Sequence, residues 1–211
     1  MADGSLANDF YIGGNGANAK YHFTNNEIVL NSIESIFNAD VIGNELPVDT
    51  FAFSVQYDPE NSALLVYGTN ADEAYLTVND CEYALRQDTP QSVLFSVPYG
   101  TPVWWYNNNQ FFAKGYASKL ERVGKYTYKL TCVSGVGLLT DQIHVGGLYA
   151  GETFGNVLAS IIGSTFSYTV SAAVSAVRVY GHLPYDYARA NLHRLIFSAG
   201  AVLIKNSAAV D

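Results

Sequence analysis

A chain of 211 residues, 49% of them apolar, has room for one large domain or two small ones and enough apolar mass to bury a core without a metal or disulfide staple. Its longest apolar stretches, such as Val157 to Ile162 and Leu195 to Phe197, fall far short of the roughly 20 residues that cross a bilayer, so no membrane span is expected. The net charge of −8 is unevenly divided: residues 1–110 hold 14 acids against two bases, and residues 111–211 nine bases against five acids, with no dense Lys/Arg stripe of the kind that excludes phosphate counterions, so nucleic-acid binding is not expected.

The N-terminus carries an acid where a secretion signal would be basic, and no apolar segment follows, so synthesis in a cytoplasm is the expectation. Residues 1–25 are rich in Gly, Asn and Ala and read as a flexible N-terminal arm, with Gly13-Gly14-Asn15-Gly16 as a turn. From Asn26 the pattern changes. Ile28, Leu30, Ile33 and Ile36 are interleaved with polar residues, Asn44 to Pro47 signals a turn, and Thr50 to Tyr57 alternates with period two. Strand-like segments follow at Ala63 to Tyr67, Ser92 to Val97, Pro102 to Tyr106, Phe111 to Val123 and Lys125 to Val133. Residues 26–135 therefore predict a β-barrel-like antiparallel domain, with an acidic insertion near 60–90.

After Ser134 the period changes. Phe154, Val157, Leu158, Ile161 and Ile162 recur at helical spacing between a Thr153 N-cap and Gly163. A strand at Val177 to Tyr180, a second helix from about Tyr185 to Ser198 with Ala188, Leu192, Leu195 and Ile196 inward, and a last strand at Ala201 to Ile204 complete residues 136–211. That helix-strand-helix-strand segment is expected to pack on the barrel and to begin a second domain. The fold class is α+β and strand-dominated, with two short helices.

The side chains offer little reaction chemistry. His22, His144, His182 and His193 stand far apart, Asp141 and His144 read as a hydrogen-bonded loop pair, and His193 as a surface or interface side chain. Cys81 and Cys132 have no metal spacing and read as free, partly buried thiols. No GxSxG or GK[ST] motif occurs, so no catalytic residue, metal ligand or cofactor is assigned. The conspicuous cluster is Trp104-Trp105-Tyr106 followed by Asn107 to Gln110, where aromatic faces beside amides suit either a subunit interface or a carbohydrate. In a strand Trp104 and Trp105 point to opposite faces, so one of them at most enters the core.

Four stretches together resemble the N-terminal region of bacteriophage tail hub proteins, from baseplate or tail tip: Glu45 to Val55; Tyr99 to Tyr106 leading into Phe111 to Arg122; Val123 to Thr131 running on through Ser134 to Leu139 and Gly146 to Gly151; and Gly181 to Leu192 with Ser198 to Ala201. The chain departs from the family at Glu60 to Pro90. The resemblance implies a non-enzymatic structural subunit of a phage, prophage or phage-like tail, linking tail tube to tip. It implies a homotrimeric ring whose partners are tail tube and tail-tip or baseplate proteins, located in the virion tail, and a chain that is an N-terminal piece of a longer one. The alternatives are a carbohydrate-binding module that grips host glycans through Trp104 or Trp105, and a peptidoglycan hydrolase that would clear a zymogram.

Overall fold

A computed structural model describes residues 7–29, 31–37, 46–57, 95–124 and 126–203. The expected strand at Ala63 to Tyr67, the acidic insertion and Cys81 lie outside the described residues.

Seven strands form one antiparallel sheet: β1 (Asn8–Ile12), β2 (Tyr21–Phe23), β3 (Glu34–Ile36), β4 (Thr50–Gln56), β5 (Pro102–Asn107), β6 (Gln110–Arg122) and β7 (Thr127–Val133), in the order β2-β1-β5-β6-β7-β4-β3. The alternation that predicted β7 is what the structure shows, with Tyr128, Leu130 and Cys132 buried and their neighbours half-buried. β4 goes further than its pattern. Phe51, Phe53 and Val55 face the core, yet Ala52 and Ser54 are buried too, Ser54 through a hydrogen bond from its N–H to Ser32 Oγ. Burial without such a partner would cost a polar backbone group its water.

Asn8 to Phe23 correct the expectation of a flexible arm. β1 inserts between β2 and β5, pairing Phe10 with Phe23 on one side and with Trp105 on the other. Phe10 is fully buried, and its ring stacks on Phe53 at 3.7 Å between centroids. Those two residues sit on strands four steps apart in the sheet, about 19 Å if it were flat at ~4.8 Å per strand. The sheet is therefore strongly curled.

It is not a barrel, however, and that expectation is corrected as well. The edge strands β2 and β3 are three residues long and do not pair with each other. After β2 the chain turns sharply, with the N–H and Oγ1 of Thr24 both donating to Glu27 Oε2, and Ile28 then makes an isolated bridge to Val55 on β4. The gap is filled by side chains instead of a ladder: Phe95 packs on Tyr21, Phe23, Tyr57 and Tyr128 at 4.9–5.5 Å. Residues 95–97 supply this plug as irregular chain where a strand was expected.

The β5–β6 hairpin closes on Asn108 and Asn109, with φ of 50° and 60°. Two consecutive left-handed residues make the tight turn whose twist matches its strands, a position best filled by Asn-Gly. Asn108 is also held by the residue before β1, its Oδ1 accepting from Ala7 N–H. Asn109→Gly should therefore raise stability by about 0.5–1 kcal/mol, visible as a higher urea midpoint at unchanged slope.

A second core lies beyond β7. The stretch Ser134 to Thr140, after which the period changes, contains a helical turn, α1 (Gly135–Leu138). Then come β8 (Ile143–His144), β9 (Gly147–Thr153), α2 (Phe154–Ile162), α3 (Ala172–Ser175), β10 (Arg178–Leu183), β11 (Asp186–Tyr187) and α4 (Ala188–Ser198). α2 has the predicted ends and buries all five predicted residues, with Thr153 Oγ1 accepting from Asn156 N–H. α4 starts three residues later than expected because Asp186 and Tyr187 are taken up pairing with β8. Residues 201–203 are not strand. No helix among the described residues is long and apolar enough to cross a membrane.

Candidate interaction surface

β2, β1, β5 and β6 bring one row of side chains together on the outer face of the sheet. Register places His22 opposite Tyr11, Tyr11 opposite Trp104, and Trp104 opposite Lys114. Each member covers the next. The rings of His22 and Tyr11 stack at 4.2 Å and 6°, and Lys114 Nζ lies 5.1 Å from the centre of the Trp104 ring, a cation–π contact. Tyr106 meets Tyr11 edge-on at 5.5 Å, and its hydroxyl donates to Asn15 Oδ1. Burial, with Asp9 and Tyr106 nearby, raises the Tyr11 phenol above its ordinary value.

The structure separates the three predicted contact residues. Trp105 is in the core, 5% exposed, packed on Phe10, Phe51 and Phe112, with its Nε1–H donating to Asn8 Oδ1. No external ligand reaches it. Trp104 and Tyr106 are half-buried on the outer face. A sugar stacking on Trp104 from the side of the ammonium would have to displace Lys114.

The second core holds a polar cluster that the sequence reading did not assemble. Asn191 of α4 is fully buried. Its amide donates to Pro184 O at 2.8 Å and to His144 Nδ1 at 3.0 Å, and its Oδ1 accepts from Arg194. His144 thus bonds Asn191 and not the expected Asp141, and the bond it accepts leaves its proton on Nε2. Burial lowers the tendency of His144 to protonate. Arg194 continues to Asp186 at 2.7 Å, and that hydrogen bond, with one from Tyr187 N–H, holds the Asp186 carboxyl below its usual range. The signal for Asn191 was present: 188, 191, 192 and 195 form an i, i+3, i+4, i+7 stripe that places it inward.

Beside this cluster an open cleft of about 570 Å³ is lined by Leu46, Asp141, Arg189, His193 and Arg194 among others. Arg189 donates from Nε and an Nη to the carbonyl of Leu46 at 3.0 and 2.6 Å, and Arg194 is held by Asp186. Both guanidinium groups are thus spent on protein oxygens, and Arg189 fastens α4 to the irregular segment that leads into β4. Cys132 lies fully buried in the sheet, and burial pushes its thiol far above the ordinary range, leaving it an inert core residue. No group of three or more His, Cys, Asp or Glu side chains placed to hold a metal occurs among the described residues.

No protein-family model and no curated protein matches the chain. Among solved structures, one described as the 43 kDa tail protein of prophage MuSo2 from Shewanella oneidensis aligns with 97% of this chain and 54% of its own, at 11% identity and a TM-score of 0.49. The chain thus spans about half the length of that protein, and at these values no residue role passes from one to the other.

Proposed function

We propose that this chain is a structural, non-enzymatic subunit of a phage or phage-like tail, a hub or baseplate component that links the tail tube to the tip and assembles as a homotrimeric ring. The observation that carries the reading is spatial. The four stretches that resemble tail hub proteins, scattered through the sequence, are mutual neighbours in the fold. β4, from the first, pairs with β7 of the third. β6, from the second, pairs with β7 on its other side. Gly147 to Thr153 of β9, most of it in the third, pairs with β10, which carries the start of the fourth. Arg189 in the fourth returns to Leu46 in the first, 143 positions away. The stretches that carry the resemblance thus form one connected framework in this fold.

The test is location. Antibody raised against the chain should label one end of the tail in phage-like particles purified from cells that produce it, and the protein should co-purify with tail tube subunits. Particles that lack the protein altogether would sink the reading.

A further inference from the structure

The ladders β8–β11 and β9–β10 are one ribbon. Leu183 pairs with Gly147 and Asp186 with His144, three residues further along each strand, so the register crosses the interruption unshifted. The break falls at Gly146 and Pro184. Gly146 has a φ of 76°, and a Cβ there would run into the Leu183 carbonyl oxygen, while Pro184 has no N–H to offer a ladder.

This kink changes which side chains face outward. Beyond it, along β9 and β10, the exposed side chains include Leu148, Ala150, Tyr180 and His182, with Glu152 and Arg178 at the far end; before it, along β8 and β11 and the residues that join them to the kink, they are Ile143, Val145, Tyr185 and Tyr187. In a straight strand these would lie on opposite faces. Because the parity switches at the kink, every one of them faces solvent. Leu148 is 78% exposed, Val145 77%, Tyr180 74%, Tyr185 72%, Tyr187 53% and Ile143 48%. None of these six carries a charge.

We infer that this kinked ribbon is the surface through which a second copy of the chain docks. The argument is area and charge. At about 150–250 Å² for a fully exposed large side chain, the six leave on the order of 800 Å² open, one partner's share of a standard interface and more than the roughly 300–600 Å² of the largest patch on a typical monomer. The chain as a whole carries −8, whereas the exposed charges of the ribbon, Glu152 and Arg178, cancel, so this strip without net charge is where a second copy approaches with least repulsion. Two tyrosines with few torsions to freeze, Tyr180 and Tyr185, serve as anchors. The inference deepens the tail reading by naming a contact surface, and rests on it only for the setting.

The experiment is mass in solution across a concentration series for the full chain, by light scattering and sedimentation. Wild type should form a multiple of the monomer. Leu148→Glu with Tyr180→Glu, and separately Val145→Glu with Tyr185→Glu, should weaken association by about 100-fold or more with unchanged near-ultraviolet circular dichroism. Val123→Glu, at a residue 58% exposed at the far end of β6, should behave as wild type. Hydrogen exchange on wild type gives a readout without variants: amides of β9 and β10 should slow as concentration rises. Wild type that stays monomeric throughout, or association that survives both double variants, overturns the inference. Persisting association would leave the tail reading intact. Loss of association in a protein absent from tail particles would overturn the tail reading and leave the ribbon standing.

Discussion

Phe10→Ala should destabilise the protein by about 3–5 kcal/mol, measured by urea unfolding. Phe10 is fully buried and lies against Phe53 at 3.7 Å, Trp105 at 5.4 Å and Phe51 at 6.3 Å. Its ring fills the concave side of a curled sheet, so its removal loses contacts on strands β4 and β5 together. The neighbouring residues of the curl are held by backbone ladders and cannot collapse into the space, which puts the cost at the upper end for a large-to-small change. Asn18→Ala, in the exposed turn between β1 and β2, should stay within roughly 0.5 kcal/mol of wild type. A loss below about 1 kcal/mol for Phe10→Ala would mean that the N-terminal residues are an arm after all.

The second large effect is expected at Asn191. Asn191→Leu keeps the volume but strands the Pro184 carbonyl and His144 Nδ1 without their donor, and Arg194 without one acceptor. Unsatisfied buried groups of this kind cost about 2–4 kcal/mol together. The same cluster sets a pH dependence. His144 is depressed below its ordinary value of 6.5 by burial, so the unfolded chain takes up a proton at a higher pH than the folded one. The stability held in the neutral form is complete above about pH 6.5 and is lost as pH falls from there through the folded value. The urea midpoint of wild type should accordingly drop more between pH 7 and pH 5 than that of His144→Gln. Asp186 acts in a different window: its lowered carboxyl contributes above its ordinary value of 3.8 and is lost only on further acidification. Equal pH profiles for the two proteins would show that His144 is not the group responsible.

Local patterns were legible in the sequence wherever the period was unbroken over several residues. Tyr128, Leu130 and Cys132 announced β7, the Thr153-to-Gly163 stretch announced α2 with both caps, and adjacency alone put Trp104 and Trp105 on opposite faces. What failed to show were features that depend on distant partners. β1 offers only Phe10 and Ile12 as an alternation, beside a glycine-rich turn whose signal dominates, and its second neighbour begins at Pro102. Closure of the sheet is likewise decided by whether two three-residue edges meet, which no period reports. In the surface row, Trp104 was visible, but Tyr11, His22 and Lys114 join it only through register. The ribbon was hidden by its kink, since each half alone reads as a short strand with ordinary alternation.

The pairing of Asn8 with Asn107 also orders events in time. The hairpins β5–β6 and β6–β7 are local and close early, whereas β1 pays the entropy of a loop of nearly a hundred residues. At a ribosomal rate of about 5–20 residues per second, β1 waits on the order of 5–20 seconds for its partner to be made. Until then it pairs only with β2, a three-residue strand, and a two-stranded hairpin is marginal alone. During translation Phe10 is thus open to water and to other nascent chains until β5 is made, although β1 precedes every other strand of the sheet in the chain.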